Sequence, residues 1–414
     1  MKRFYILLKK REWFVLVSVL LVLLNTVLLI SYLRLSSLAR ESVVADVEYP
    51  ELTQVDMQSM TFNELSSYLK KVSEVKGAEY GFEILKRAEL PKKVDTHLLA
   101  HTIGDMLFKQ KGAEGIQYCT HDFRNACSHS IVIGLFLKKG EKAIAELAPL
   151  CKKAPGGKGA YGMCFHGLGH GVLALSDYDM QQAVRICDGL STGENKQEAR
   201  ECIGGTMMEM ASGVHDREVW KRQVVNYFTA DPLSPCNQEF VPVYAKPICY
   251  TYLTPHLVTE AGGSLSDPTD DQLAKAYQYC NPIPLSNKAE RVACFGGFGK
   301  EFVVMARNKD IRDVASMTAD EMKKVYRWCG LTSEVDGRQH CLFQALTSLY
   351  WGGENDRNAA ERFCAQAEDE MTESSCYLNL TGLVAHYIDE KDYRVAYCKE
   401  IPSPYVADCK RRLL

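Results

Sequence analysis

Imidazole is the side chain with which proteins most often hold a transition metal, and in this chain the imidazoles are crowded. Six of the ten histidines fall between residues 97 and 170: His97, His101, His121, His129, His166 and His170. Two pairs, His97 with His101 and His166 with His170, have the i, i+4 spacing that brings side chains together on one helix face, where a pair can chelate a single ion. The second pair lies in GMCFHGLGHGV, residues 162–172, among glycines and just after Cys164. Asp105 continues the first stripe four residues beyond His101, and His121 lies in a loop nearby, so both are additional ligand candidates. A set of imidazoles with one carboxylate suits zinc, copper or non-haem iron, and bis-histidine haem also fits those donors.

Cysteine supplies the register that relates these histidines. His129 and His166 each lie two residues after a cysteine, and AHTIGDMLF matches SHSIVIGLF closely enough to put His101 at the same place one unit earlier. At about 100° per residue, positions two and six after a cysteine sit about 200° and about 240° around a helix from it. They point away from the cysteine. A single histidine in a helical protein is ordinarily a core residue satisfied by a carbonyl. Five of them, His97, His101, His129, His166 and His170, sharing one face across three successive units point to ligation. His215, His256, His340 and His386 are scattered and read as structural. No HExxH or other recognised catalytic motif accompanies the cluster, and CFGGFGKEF at 294–302 lacks P-loop spacing. Glu209 and Glu301, each seven after a cysteine, read as buried carboxylates paired with basic residues or supporting a ligand from behind.

The elements that must carry this face are written in the sixteen cysteines, which form eight consecutive pairs: Cys119 with Cys127, Cys151 with Cys164, Cys187 with Cys202, Cys236 with Cys249, Cys280 with Cys294, Cys329 with Cys341, Cys364 with Cys376, and Cys398 with Cys409. Partners are 8 to 15 residues apart, and second members recur every 33 to 47 residues, the period of helical-hairpin repeats. In each unit an amphipathic stretch such as EKAIAELAPLC or EMKKVYRWC ends at the first cysteine. The second cysteine then opens an apolar, glycine-rich segment such as CFHGLGHGVLAL or CIGGTMMEMA. Arg124, Arg291 and Arg338 each precede a second cysteine by three. An antiparallel hairpin puts both cysteines at one corner, within reach of a disulfide. No two cysteines are closer than eight residues, which excludes C-x-x-C redox motifs, c-type haem attachment and zinc knuckles. The predicted fold is all-α: an αα-hairpin repeat solenoid of about eight disulfide-bridged hairpins, preceded by a cysteine-free helical unit. That unit opens with a capping box at Thr61 and Glu64 and continues in helices over 78–90 and 93–110, while 212–235 and 262–271 read as inter-repeat insertions rich in turn residues. Over residues 60–414 this design resembles the secreted, cysteine-rich Sel1-like and TPR-like solenoids, a resemblance of architecture that implies stacked hairpins and a concave inner face.

Before these repeats, residues 13–33 form an apolar run long enough to cross a bilayer, preceded by Lys2, Arg3, Lys9, Lys10 and Arg11. Residues 1–11 are therefore expected in the cytoplasm, 12–34 as a transmembrane signal anchor, 35–60 as a linker and 61–414 as the extracytoplasmic repeat domain, in the periplasm or at the cell surface. Cleavage near Ser37 and Ala39 is the rival arrangement, but the apolar stretch exceeds a usual signal core. An even, high cysteine count agrees with an oxidising compartment. A formal net charge of −3, with no run of like charge beyond the N-terminus, argues against a nucleic-acid partner. Two functions follow: a metal-binding protein, with an enzyme among its forms, or an interaction scaffold that takes a peptide or protein in its concave groove and uses the histidines structurally.

Overall fold

The computed structural model describes residues 49–120, 122–190, 196–213, 217–352 and 357–414. The expected anchor at 12–34 and the loop residue His121 lie outside them. Among the described residues no helix is long and apolar enough to cross a membrane. Residues 49–55 belong to a separate unit and contain one short helix, Glu51–Gln54.

Residues 56–414 are helical, with no strand among the described residues. Thr61 and Glu64 form the expected capping box and start α1 (Phe62–Lys76), followed by α2 (Ala78–Arg87). Beyond them runs a row of longer helices: α3 (Thr96–Lys111), α4 (Ala126–Lys139), α6 (Gly157–Leu175) and α8 (Gln197–Ser212), then the short pair α10 (Lys246–Thr251) and α11 (Thr254–Glu260), and α13 (Lys288–Ala306), α15 (Val335–Gly352), α17 (Glu370–Tyr387) and α19 (Val406–Leu413). Each packs on the next. Outside the row lie α5 (Ile144–Cys151), α7 (Met180–Asp188), α9 (Arg217–Tyr227), α12 (Asp270–Gln278), α14 (Ala319–Cys329), α16 (Arg357–Cys364) and α18 (Lys391–Glu400).

All eight predicted disulfides are present, none of the sixteen cysteines is free, and each bridge closes at a Cα–Cα distance between 5.4 and 5.9 Å. By chain entropy, closing a loop of about 15 residues contributes about 3 kcal/mol. The hairpins are nonetheless less regular than their sequence period suggests. A 3₁₀ segment, not an α-helix, precedes Cys119. The insertion expected as turns at 212–235 contains helix α9. CYTYLTPHLV, expected as one helix, is broken into α10 and α11, because Pro255 has no N–H to donate and its ring clashes with the preceding turn.

Glycine sets the closest approach in the row. A Cβ on Gly169 of α6 would strike the Cys202 carbonyl of α8, and one on Gly205 of α8 would strike the His166 carbonyl of α6. The two backbones are in contact, and only a bare Cα on each side permits it.

The row also curls back on itself. Thr96, which opens α3, accepts a hydrogen bond from the Ile311 amide (3.1 Å) and donates to the Lys309 carbonyl (3.3 Å), just past α13. Arg312 donates to the carbonyls of Leu85 and Ala88 at the end of α2. Arg124, before α4, reaches Ser348 of α15 (2.6 Å), and Lys158 of α6 pairs with Asp389, just beyond α17 (2.7 Å). Each of the first three helices in the row thus meets the end or flank of the helix five places further on, with the short pair α10 and α11 counted as one place. The inner face forms a partly open cavity of about 760 Å³, walled by residues from α3 through α17.

Candidate metal centre

The five histidines converge on the wall of this cavity. His97 and His101 come from α3, His129 from α4, and His166 and His170 from α6. His129 lies at the middle, its ring centroid 5.6 Å from His101, 5.8 Å from His97, 5.6 Å from His166 and 6.0 Å from His170. His97, His101 and His129 form the tightest group, with one ring nitrogen of each within 4.8 Å of the other two. The inner face opposite each disulfide is the face that carries them, as the register from Cys127 and Cys164 required. Asp105 is exposed and is not among the cavity-lining residues.

The hydrogen bonds fix two tautomers. His97 Nδ1 lies 2.6 Å from the Phe123 carbonyl, which can only accept, so Nδ1 carries the proton. The Ser130 hydroxyl donates to the His101 carbonyl (3.0 Å) and therefore accepts from His101 Nδ1 (3.1 Å). Both rings then present Nε2 lone pairs, and these two atoms lie 3.2 Å apart. With both rings neutral, facing lone pairs at that distance repel unless a proton or a metal ion lies between or beside them. Burial, together with the neighbouring His170 and Arg124, pushes the His97 pKa down to about 4, although Asp95 and the Phe123 carbonyl oppose the shift.

His129 is buried, and neither of its ring nitrogens has a hydrogen-bond partner. His166 is fully buried; its Nδ1 is also unpartnered, and its Nε2 lies 3.4 Å from Met208 Sδ. Burial first, then the surrounding histidines, drives both pKa values well below the ordinary histidine range. His170 Nδ1 bonds Glu209 (3.0 Å), whose other oxygen accepts from the Tyr178 hydroxyl (2.6 Å). Glu209 is fully buried. This carboxylate–imidazole arrangement is the one that turns a ligand nitrogen toward a metal. Sequence spacing placed Glu209 near a basic residue; its observed partners are an imidazole and a phenol. Glu301 has the expected basic partner, Lys300, and also lines the cavity.

Glycine matters at the centre too. A Cβ on Gly167 would come within 2.6 Å of His129 Cα and 2.7 Å of its Cδ2, so α6 can lie against the His129 ring only because this residue has no side chain. Backbone strain accumulates around the site. Phe123, Arg124 and Asn125 all have positive φ (57°, 53° and 63°), as do Asp177 and Tyr178 (50° and 59°). The first run presents the Phe123 carbonyl to His97, and the second carries the Tyr178 hydroxyl to Glu209. Non-glycine residues in this region cost about 1–3 kcal/mol each and persist where surrounding contacts enforce them.

Other residues of the cavity wall went unread in the sequence. Glu201, also in the wall, is held above the usual carboxylate range by burial, against the pull of Arg200. Tyr252 packs on His166 with ring centroids 4.8 Å apart. His386, expected to be structural, also lines the cavity, with Tyr387 beside it. No family description matches this chain, and no curated protein or solved structure matches it.

Proposed function

We propose that this protein is a membrane-anchored, extracytoplasmic helical-repeat solenoid that binds a transition ion, zinc, copper or iron, through His97, His101 and His129, with His166 and His170 completing the donor cluster. In this reading it acts on a small molecule admitted to the adjoining cavity. The observation that carries the proposal is the pair of Nε2 lone pairs 3.2 Å apart, with His129 beside them lacking any protein partner. The cationic apolar N-terminus supports the anchor, and eight disulfides support the oxidising compartment. The cavity volume falls in the range of small-molecule sites, not of surfaces that take folded partners. Met208 Sδ beside His166 adds a soft donor of the kind that favours copper. An ion with an open coordination position would polarise a ligand oxygen or acidify a bound water, and in this reading Glu201, which lines the same cavity, takes the proton.

Elemental analysis of the full-length chain, purified without a histidine tag and then challenged with each ion, tests the reading. Stoichiometric metal is expected in the wild type and none in the His97→Ala, His101→Ala double variant. A wild-type protein that neither carries nor takes up zinc, copper or iron would falsify the assignment.

A further inference from the structure

The cavity has a second chemical feature, and it lies one residue from the carbonyl that orients His97. Arg124 follows Phe123 in the left-handed run, so the turn that aims the Phe123 carbonyl at His97 also delivers a guanidinium into the cavity wall. That guanidinium is only partly satisfied. Nη2 donates to Ser348 Oγ at 2.6 Å, Nε is buried with no acceptor, and Arg124 makes no ion pair among the described residues. Glu301 and Asp95 act on its charge only from a distance. A guanidinium has five donors in a planar fork, and a buried charge left without a partner is costly.

Two other arginines are treated differently, while Arg338, whose Nε is likewise buried without a partner, does not line the cavity. Arg291 is held by Asp336 through Nε and Nη2 and also by Glu334, and Arg312 is held by Asp310. Those are structural ties. Around Arg124 the wall adds four further basic side chains, Lys158, Arg200, Lys300 and Lys309, against three carboxylates, Asp95, Glu201 and Glu301. The balance is positive before any metal ion is added. Lys158 is tied to Asp389, Lys300 to Glu301, and Arg200 lies 3.9 Å from Glu201, so among the described residues Arg124 and Lys309 are the cations of the wall without an ion pair, and of these only Arg124 carries a planar fork of donors.

We infer that Arg124 is the anion anchor of the cavity, and that the ligand is a small molecule bearing an oxyanion group, carboxylate or phosphate, gripped by the guanidinium fork while the rest of the molecule extends toward the histidine cluster. Planar two-point recognition of an oxyanion is what distinguishes arginine from a point charge. The metal assignment supplies the direction in which the ligand points; the anion site itself stands on Arg124 and is tested without metal.

The test is calorimetric titration of the chelator-treated full-length chain with inorganic phosphate and, in parallel, with succinate, at constant ionic strength and with chloride as control. Saturable binding of at least one anion is expected, with the stronger arm naming the headgroup. Arg124→Met should weaken that binding by at least tenfold. Ser348→Ala, which removes the hydrogen bond but keeps the guanidinium, should leave it within about threefold, and Lys309→Met should do the same. Far-ultraviolet dichroism and the thermal midpoint show whether each variant is folded. If Arg124→Met does not fold, Arg124→Lys takes its place and should bind more weakly than the wild type. Absence of saturable binding by both anions, or equal binding by the wild type and a folded Arg124 variant, overturns the inference. Neither result bears on metal content, which is measured separately.

Discussion

At His129, two buried ring nitrogens lack hydrogen bonds, and each such group costs about 1–3 kcal/mol. Phe at this position would remove the unsatisfied polar atoms while filling similar space. His129→Phe is therefore expected to leave the metal-free protein as stable as the wild type or more so by denaturant midpoint, while metal uptake is lost. A purely structural histidine would give the opposite stability result. Proton linkage is readable at His97. Its folded pKa is about 4, against about 6.5 for an exposed histidine. Between those values the unfolded chain binds more protons than the folded one. The stabilisation is fully present above pH 6.5 and is lost as pH falls toward 4, and His129 and His166, shifted the same way, add to the loss. Chemical denaturation of the metal-free protein from pH 7.5 to 4 should show this decline, and His97→Gln should make it shallower. Glu209→Gln should weaken metal binding by roughly 10- to 100-fold, measured by competition with a chelating dye, because the carboxylate behind His170 is replaced by an amide. The histidine rung was legible because cysteine gave its register. Glu209 was legible as a buried carboxylate, but its partner and that of Arg124 were not, since those partners lie 39 and 224 residues away and no local period encodes them.

Helix contacts are decided by what glycine allows. Gly169 and Gly205 face each other's helix backbone with no room for a methyl group, whereas a Cβ on Gly171 would sit at ordinary distance, 3.4 Å, from Ile133. Gly205→Ala must push α6 and α8 apart and is expected to destabilise by about 1–3 kcal/mol. Gly171→Ala gains up to about 1 kcal/mol of helix propensity and should be neutral or stabilising. Thermal unfolding of the two variants checks the contrast. The glycine-rich openings of these helices announced close approach in the sequence, and the cysteine spacing announced the hairpins. Two features of the same stretch of chain were hidden. Pro255 splits a helix that apolar patterning alone would have continued, and α9 forms where turn residues suggested an insertion.

For residues 56–414 as a whole, the all-helical character and all eight bridges were legible, because both are local in sequence. The curl that forms the cavity was not. It rests on Thr96 with Lys309 and Ile311, Arg124 with Ser348, and Lys158 with Asp389, pairings more than two hundred residues apart. The bridges make a simple forecast: alkylation of the native protein without reductant adds no mass, and sixteen adducts appear after reduction and unfolding. One adduct on the native chain would contradict the pairing.

An open stack of hairpins can lengthen by duplication, since each copy needs only its neighbours. The fixed interval between partners across the curl removes that freedom here. One more hairpin inserted between α6 and α13 would slide all three pairs out of register, so length changes that keep the curl are those made in the loops.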